Sequence, residues 1–240
     1  MHRNRFCAIA LVCALASSSL GSVPAARRLS FDVFLDERPI GYQHFALVPT
    51  RNGLRVEIQA AFEVRVLRFI AFEYAHDNVE QWRGGCLHSI QARTNSNGKP
   101  YRVTGRAVSE GFLVSSNSGK QRLMECVGTF SYWDKSQLLR RAKLLNSQTG
   151  EYVSVVVRRL GGGNLKLGKR DVPVERYALI GKDLDITLAY AVGSGEWVAL
   201  DSLLSSGRTL RLRRSVSELL AFTNARGAHP QGAAGPEMSR

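Results

Sequence analysis

Asp183 and Asp185 and a scatter of histidines are the residues whose type and spacing could do chemistry here. Two positions apart on a strand, the two aspartates would project from one side of it. Paired carboxylates shift each other's pKa and could serve a hydrolase as acid and base. The competing reading is a solvated outer face, because Leu184, Ile186 and Leu188 already supply an inner one. His76 and Asp77 are adjacent, which puts them on opposite faces of a strand and argues against a coupled pair. His44, His88 and His229 stand apart, no two histidines have metal-ligand spacing on a helix, and no Cys-x-x-Cys occurs. There is no Gly-x-Ser-x-Gly elbow, and Gly193-Ser194-Gly195 reads as a hairpin loop. Gly161-Gly162-Gly163 lacks the strand-then-helix setting and the Lys-Ser or Lys-Thr of a phosphate loop. The residues therefore suggest a protein that is not an enzyme, with no metal and no cofactor.

The start of the chain gives the remaining cysteines their meaning. His2, Arg3 and Arg5 precede an apolar run from Phe6 to Ala16, then small polar residues and Val23-Pro24-Ala25, the plan of a cleaved signal peptide over residues 1–25. The run is much shorter than the roughly 20 residues that span a bilayer, so no transmembrane segment is expected after cleavage. Cys7 and Cys13 leave with the signal. Cys86 and Cys126 remain, an even count in an oxidising compartment, and are expected to form a disulfide. The formal charge is +13 over 240 residues and is diffuse, with clusters at Arg140-Arg141-Lys143, Arg158-Arg159 and Arg211-Arg213-Arg214. Export removes nucleic acid from reach and leaves anionic envelope material as the natural counterpart.

A different chemistry, that of a ligand groove, is offered by Trp82 near Cys86 and by Phe130, Tyr132 and Trp133 beside Asp134. Trp and Tyr present an apolar body with a polar tip, which suits a groove mouth. The alternative is that these rings pack the junction between two halves of the chain, anchored by the disulfide.

The elements that must position these residues are strands. Leu54, Val56, Ile58, Ala60, Phe62 and Val64 alternate with Arg55, Glu57, Gln59, Ala61, Glu63 and Arg65, one dry face and one wet. Leu29, Phe31, Val33 and Leu35 alternate likewise, apart from Phe34. Asp36-Glu37-Arg38-Pro39, Asn52-Gly53 and Asn97-Gly98 supply turns, so neighbouring strands should pair as an antiparallel meander. One segment departs from period two: Leu138, Leu139, Ala142 and Leu145 have helical spacing, with Asp134 to cap the start and Asn146 to end it. The expected fold is all-β, a curved antiparallel meander forming an open barrel or half-barrel with one short helix near the middle. It is a single domain over 26–214, with β parts 29–126 and 151–214 joined by a helical segment 134–145. Residues 215–240 should add a short helix, Val216 to Phe222, and then a disordered tail.

Several ordered strings resemble a family of exported bacterial proteins defined only as a domain of unknown function, number 6134. They are Phe31-Asp32-Val33, Pro39-Ile40-Gly41, Trp82-Arg83-Gly84-Gly85-Cys86-Leu87, Phe130-Ser131-Tyr132-Trp133-Asp134, Leu145 to Glu151, Asp183-Leu184-Asp185-Ile186 and Glu196-Trp197. The resemblance implies a periplasmic or secreted location and transfers no catalytic residue. The long one-sided strands with few helices are also similar, more remotely, to the periplasmic lipoprotein carriers (LolA- and LolB-like), whose curved sheet has a greasy concave face. The leading expectation is an exported protein that binds or carries an apolar or amphiphilic, lipid-like ligand. The alternative is an envelope scaffold with a protein partner, and a hydrolase acting on envelope material comes third. Whether the inside of the sheet is hollow or packed separates the first two.

Overall fold

The computed structural model describes residues 25–66 and 69–215. The signal segment before Ala25, the helix expected from Val216 to Phe222, the tail beyond it and His229 lie outside the described residues. The chain runs β1 (Arg27–Leu35), β2 (Arg38–Thr50), β3 (Gly53–Val66), β4 (Phe69–Arg83), β5 (Cys86–Ser96), β6 (Lys99–Val108), β7 (Gly111–Ser116) and β8 (Gly119–Leu123). A helix, α1 (Lys135–Leu139), follows, and then β9 (Lys143–Leu145), β10 (Tyr152–Leu167), β11 (Arg170–Gly181), β12 (Leu184–Ala191), β13 (Trp197–Leu203) and β14 (Thr209–Arg214). Among the described residues no helix is long and apolar enough to cross a membrane.

The fourteen strands of the described residues belong to one antiparallel sheet in the order β8-β7-β6-β5-β4-β3-β2-β1-β14-β13-β12-β11-β10-β9. The first and last strands pair side by side in its middle, with Phe31 opposite Arg214 and Leu35 opposite Leu210. The sheet is not closed by hydrogen bonds: β8 and β9 are its two edges, and the break falls in mid-chain, where the helical segment is inserted.

Short turns enforce the meander. Asn97 (φ 52°) and Gly98 (φ 82°) form a two-residue link between Ser96 and Lys99, the left-handed pair that matches strand twist. Asn52-Gly53 works differently. Arg51 and Asn52 make the turn, and Gly53 opens β3, where a Cβ would sit 1.9 Å from the Trp82 carbonyl oxygen. Phe34, the exception to the alternation of β1, sits at a register shift between Val33 and Phe34. Further shifts at Val64/Arg65, Gln81/Trp82, Arg159/Gly161 and Ala189/Tyr190 add the local bends that help such a sheet curl.

Curling buries the inner face, and a second, smaller cluster of Leu167, Val174, Ala189, Val198 and Ala199 is buried apart from it. Leu29, Phe31 and Val33 of β1, Val56 and Ile58 of β3, Val103 of β6, Leu188 of β12 and Leu212 of β14 share a single apolar cluster. Its aromatic centre is Trp197, with ring centroids 4.1 Å from Phe31 and 5.5 Å from Phe45. Burying a side chain such as Phe31 completely is worth about 1.5–3 kcal/mol.

The helix is shorter than the spacing suggests. The expected segment 134–145 yields five helical residues, capped by Asp134 Oδ1, which accepts from Ser136 N (2.8 Å) and Gln137 N (3.3 Å). Only Leu138 of the helix is buried, and Leu139 is 46% exposed, so there is no apolar stripe wide enough to extend it. Lys143–Leu145 becomes strand β9 on β10, and Leu144 and Leu145 are both buried. Asn146 forms a turn rather than a helix end: its Oδ1 accepts from Gln148 N and Thr149 N.

Candidate functional site

What closes the curled sheet is the segment between its two edges, and its attachments define the chemistry of this region. Cys86, at the start of β5, is bonded to Cys126, just beyond β8, with Cα atoms 5.1 Å apart. Leu87 N donates to Val127 O (2.9 Å), Leu145 N donates to Gly128 O (2.8 Å), and Thr129 bridges Leu145 in parallel. Arg141 reaches back from beyond α1. Its guanidinium donates to the carbonyls of Gly85 and Cys126 and to Gln137 Oε1 (2.7 Å). On the far side Lys135 Nζ lies 3.0 Å from Glu175 Oε2, and Tyr190 Oη donates to Tyr132 O (3.0 Å). Lys135, Arg159 and Tyr177 together hold the Glu175 carboxyl down at about 2.

Glu80 is the most deeply placed carboxyl of this region, with no exposed surface. Burial raises its pKa, and four hydrogen-bonding neighbours oppose the shift. Trp82 Nε1 donates to Oε2 (2.9 Å), Asn78 Nδ2 donates to Oε1 (2.9 Å), and Ser131 Oγ lies 2.8 and 3.0 Å from the two oxygens. Thr129 Oγ1 is 2.6 Å from Ser131 Oγ. The carboxyl thus ties the closing segment to β4 across 51 residues of chain. Asn78 Oδ1 is buried without a partner among the described residues.

The same inner face of β4 carries His76. Its Nδ1 is 2.8 Å from Thr94 Oγ1 and its Nε2 is 3.4 Å from Ser147 Oγ. Ser147, His76 and Thr94 have the order of nucleophile, base and orienting group. However, the Ser147 contact is longer than the reach of a good O–H···N bond, and burial lowers His76 to about 4, which makes it a weak base. Asp77 points outward and is exposed, as adjacent positions on a strand require.

The sequence-named residues fall as follows. Trp82 and Trp133 meet edge to face at 5.5 Å, Phe130 and Tyr132 at 6.3 Å, and Tyr132 and Trp197 at 5.4 Å. All four candidate groove rings are thus brought together against the core. The space lined by Trp82, Tyr132 and Trp133 measures about 10 Å³, at most room for a single water. Tyr132 has φ 58° at the centre of a three-residue turn closed by Trp133 N donating to Ser131 O, a rare and strained conformation for an aromatic residue. Asp183 lies in the turn before β12 rather than on the strand with Asp185, and both are exposed. His44 stacks on Tyr42 at 4.5 Å on the outer face, and His88 is half-buried on β5. Gly161 to Gly163 lie within β10, and Gly193-Ser194-Gly195 connects β12 to β13. Among the described residues no three His, Cys, Asp or Glu side chains converge to hold a metal ion.

Glu80, Asn78 and Ser131 were missed by sequence reasoning. A signal existed: His76, Asn78 and Glu80 have the same parity as Tyr74 and Trp82, so aromatic residues at both ends mark that face as the inner one.

Larger spaces lie outside the core. An open cleft of about 740 Å³ separates Ser116 to Gln121 from Thr149 to Ser154 at the unclosed seam, spanned by a bond from Gln121 Nε2 to Gly150 O (2.6 Å). Others of about 640, 440 and 340 Å³ lie on the outer face of the sheet.

A solved structure is similar in fold: a beta-barrel-like protein of domain of unknown function DUF1849 from Brucella abortus. It superimposes with a TM-score of 0.55 at 11% identity, covering 80% of this chain and 95% of that one. No curated protein matches the chain. The family model DUF6134, a domain of unknown function, matches residues 31–215, most of the described sheet, and the chain therefore belongs to the DUF6134 family.

Proposed function

We propose that this is an exported, non-enzymatic envelope protein that acts as a scaffold or interaction module through its outer surfaces and seam. The observation that carries this reading is the filled interior. The aromatic residues that would have lined a groove leave about 10 Å³ between them, and the sheet's inner face is one packed cluster. The Cys86–Cys126 disulfide supports a periplasmic or secreted location, since such bonds persist in oxidising compartments. The test pairs two measurements. Native mass spectrometry of gently purified protein should give the mass of the polypeptide alone. A photo-crosslinker at exposed Gln121, on the seam, should trap one defined envelope protein in cells. A co-purifying lipid together with no protein adduct would overturn the reading.

One observation favours a second reading, the carrier of an amphiphile. The 740 Å³ seam cleft has the size of a ligand site and includes Tyr152 and Val153. A lipid found by native mass spectrometry, and lost when Val153 is changed to Asp, would support it.

A further inference from the structure

The outer face of β5 to β8 carries a concentration of positive charge that the fold does not neutralise. Arg93 on β5 stands directly opposite Arg102 on β6. Directly opposed side chains are roughly 4.5–5.5 Å apart at Cβ, and like charges so placed destabilise a sheet. Two rows further along, Arg106 and Arg122 flank Leu113 across three strands, and Lys120 lies in the intervening row opposite Ser115. All five cations are exposed. Arg122 pairs with Glu110 at 3.3 Å, whereas Arg93, Arg102, Arg106 and Lys120 have no ion pair among the described residues. Asp77, opposite Arg93, is the other acid of this face.

Shallow clefts run between these side chains. A cleft of about 640 Å³ runs over Arg106, Lys120 and Arg122, and one of about 340 Å³ over Arg93 and Arg102. Gln91 and Thr104 line both, so the two adjoin. An array of mostly unpaired guanidinium groups separated by amides and hydroxyls has a specific chemical complement. Guanidinium forks bind phosphate oxygens in pairs. Thr104, Ser115 and Gln91 between them offer donors and acceptors for sugar hydroxyls. Among the described residues no aromatic side chain lines these clefts to stack on a base, as single-stranded nucleic acid requires.

We propose that the outer face of β5 to β8 is a docking surface for a phosphorylated glycan of the kind that forms the head region of lipopolysaccharide. Lys120 also lines the seam cleft, whereas Arg93, Arg102 and Arg106 do not, so loss of glycan binding and loss of a protein partner trapped at Gln121 are read out separately.

The probe is purified rough-type lipopolysaccharide, titrated against the full processed chain by surface plasmon resonance. Three comparisons accompany it: the same material after dephosphorylation, vesicles of phosphatidylglycerol, and polyglutamate. A variant combining Arg93→Gln, Arg102→Gln, Arg106→Gln and Lys120→Gln should bind the phosphorylated probe at least about tenfold more weakly, with a shallower salt dependence. The control removes the same charge elsewhere, with Arg83→Gln, Arg158→Gln, Lys169→Gln and Arg170→Gln, all exposed and unpaired among the described residues. It should keep wild-type affinity. Circular dichroism melting verifies that both variants fold. Equal loss in the two variants, or undiminished binding by the face variant, would overturn the proposal. So would equally tight binding of polyglutamate, of phosphatidylglycerol vesicles or of the dephosphorylated glycan.

Discussion

Changing Glu80 to Ala tests the buried tie between β4 and the closing segment, and the sign of its pH dependence is fixed by the structure. The substitution takes the acceptor away from Trp82 Nε1 and Asn78 Nδ2, whose residues are 5% and 2% exposed. Each buried donor left unpaired costs about 1–3 kcal/mol. Ser131 Oγ keeps Thr129 Oγ1 at 2.6 Å and is not orphaned. Two orphaned donors, partly rehydrated, put the loss at about 3 kcal/mol where the wild-type carboxyl is protonated. Burial raises the pKa of Glu80 in the folded chain above its ordinary 4.5. Between those two values the folded chain holds a proton that the unfolded chain has released, so Glu80's contribution is full below about pH 4.5 and declines as pH rises through the folded value. The variant has no such term. The loss caused by the substitution is therefore larger near pH 4 than near pH 8.

Urea unfolding of both proteins at the two pH values, with the disulfide intact, measures this double difference, and every other titrating group cancels in it to first order. An equal loss at both pH values, or a larger one at pH 8, would show that the carboxylate is ionised in the fold without penalty and would refute the argument. Ser131→Ala provides the converse: it removes a donor that opposes the upward shift, so the dependence on pH steepens.

Replacing Cys86 and Cys126 by Ser releases a 40-residue loop in the unfolded chain and should cost about 4 kcal/mol by the chain-entropy estimate, read as a fall in the urea midpoint. Unfolded but unreduced processed protein should show no titratable thiol. His76 should titrate near 4 by NMR of its imidazole; because that value is depressed below 6.5, its contribution to stability is present above pH 6.5 and lost as pH falls toward 4. A midpoint above 6 would contradict its burial. Gly41→Ala places a Cβ 1.9 Å from the Ala61 carbonyl oxygen, a backbone atom that cannot swing aside, and should lower stability by about 1–3 kcal/mol in thermal melting.

Much of the sheet was legible because period two and turn chemistry are local. The alternation from Leu54 to Val64 is written in the residues themselves, and Asn97-Gly98 fixes its hairpin with the conformations it favours. The length of the helix was not legible, because Leu138, Leu139, Ala142 and Leu145 keep helical spacing whether or not a partner surface exists for them. Leu139 faces solvent and Leu145 pairs with Tyr152, outcomes set by where β10 lies rather than by the segment itself. The Glu80 tie was illegible for a similar reason: Ser131 is 51 residues away, and only the curl of the sheet brings the two together. The pairing of Cys86 with Cys126 was legible because arithmetic on cysteines needs no geometry.

The position of the break in the sheet determines what kind of object this is. In a meander the terminal strands are the usual loose ends, yet here β1 and β14 pair in the middle and are held on both sides. The free edges are instead β8 and β9, which flank the closing segment, and the attachments of that segment are unequal. Toward β4 and β5 it is held by a covalent bond, by the buried Glu80 cluster and by Arg141 on the Gly85 carbonyl. Toward β11 and β12 the side-chain ties named above are a single bond from Tyr190 to Tyr132 and the Lys135–Glu175 pair, each of whose side chains is 29% exposed. A covalent or buried tie resists water and salt, whereas partly exposed ion pairs contribute little. The side chains of the segment therefore bind it more firmly toward β4 and β5, while backbone bonds from Leu145 N to Gly128 O and from Val155 N to Ala142 O fasten it to β9 and β10 as well, so the 740 Å³ cleft between Gln121 and Tyr152 lies at the edge of a segment held on both sides.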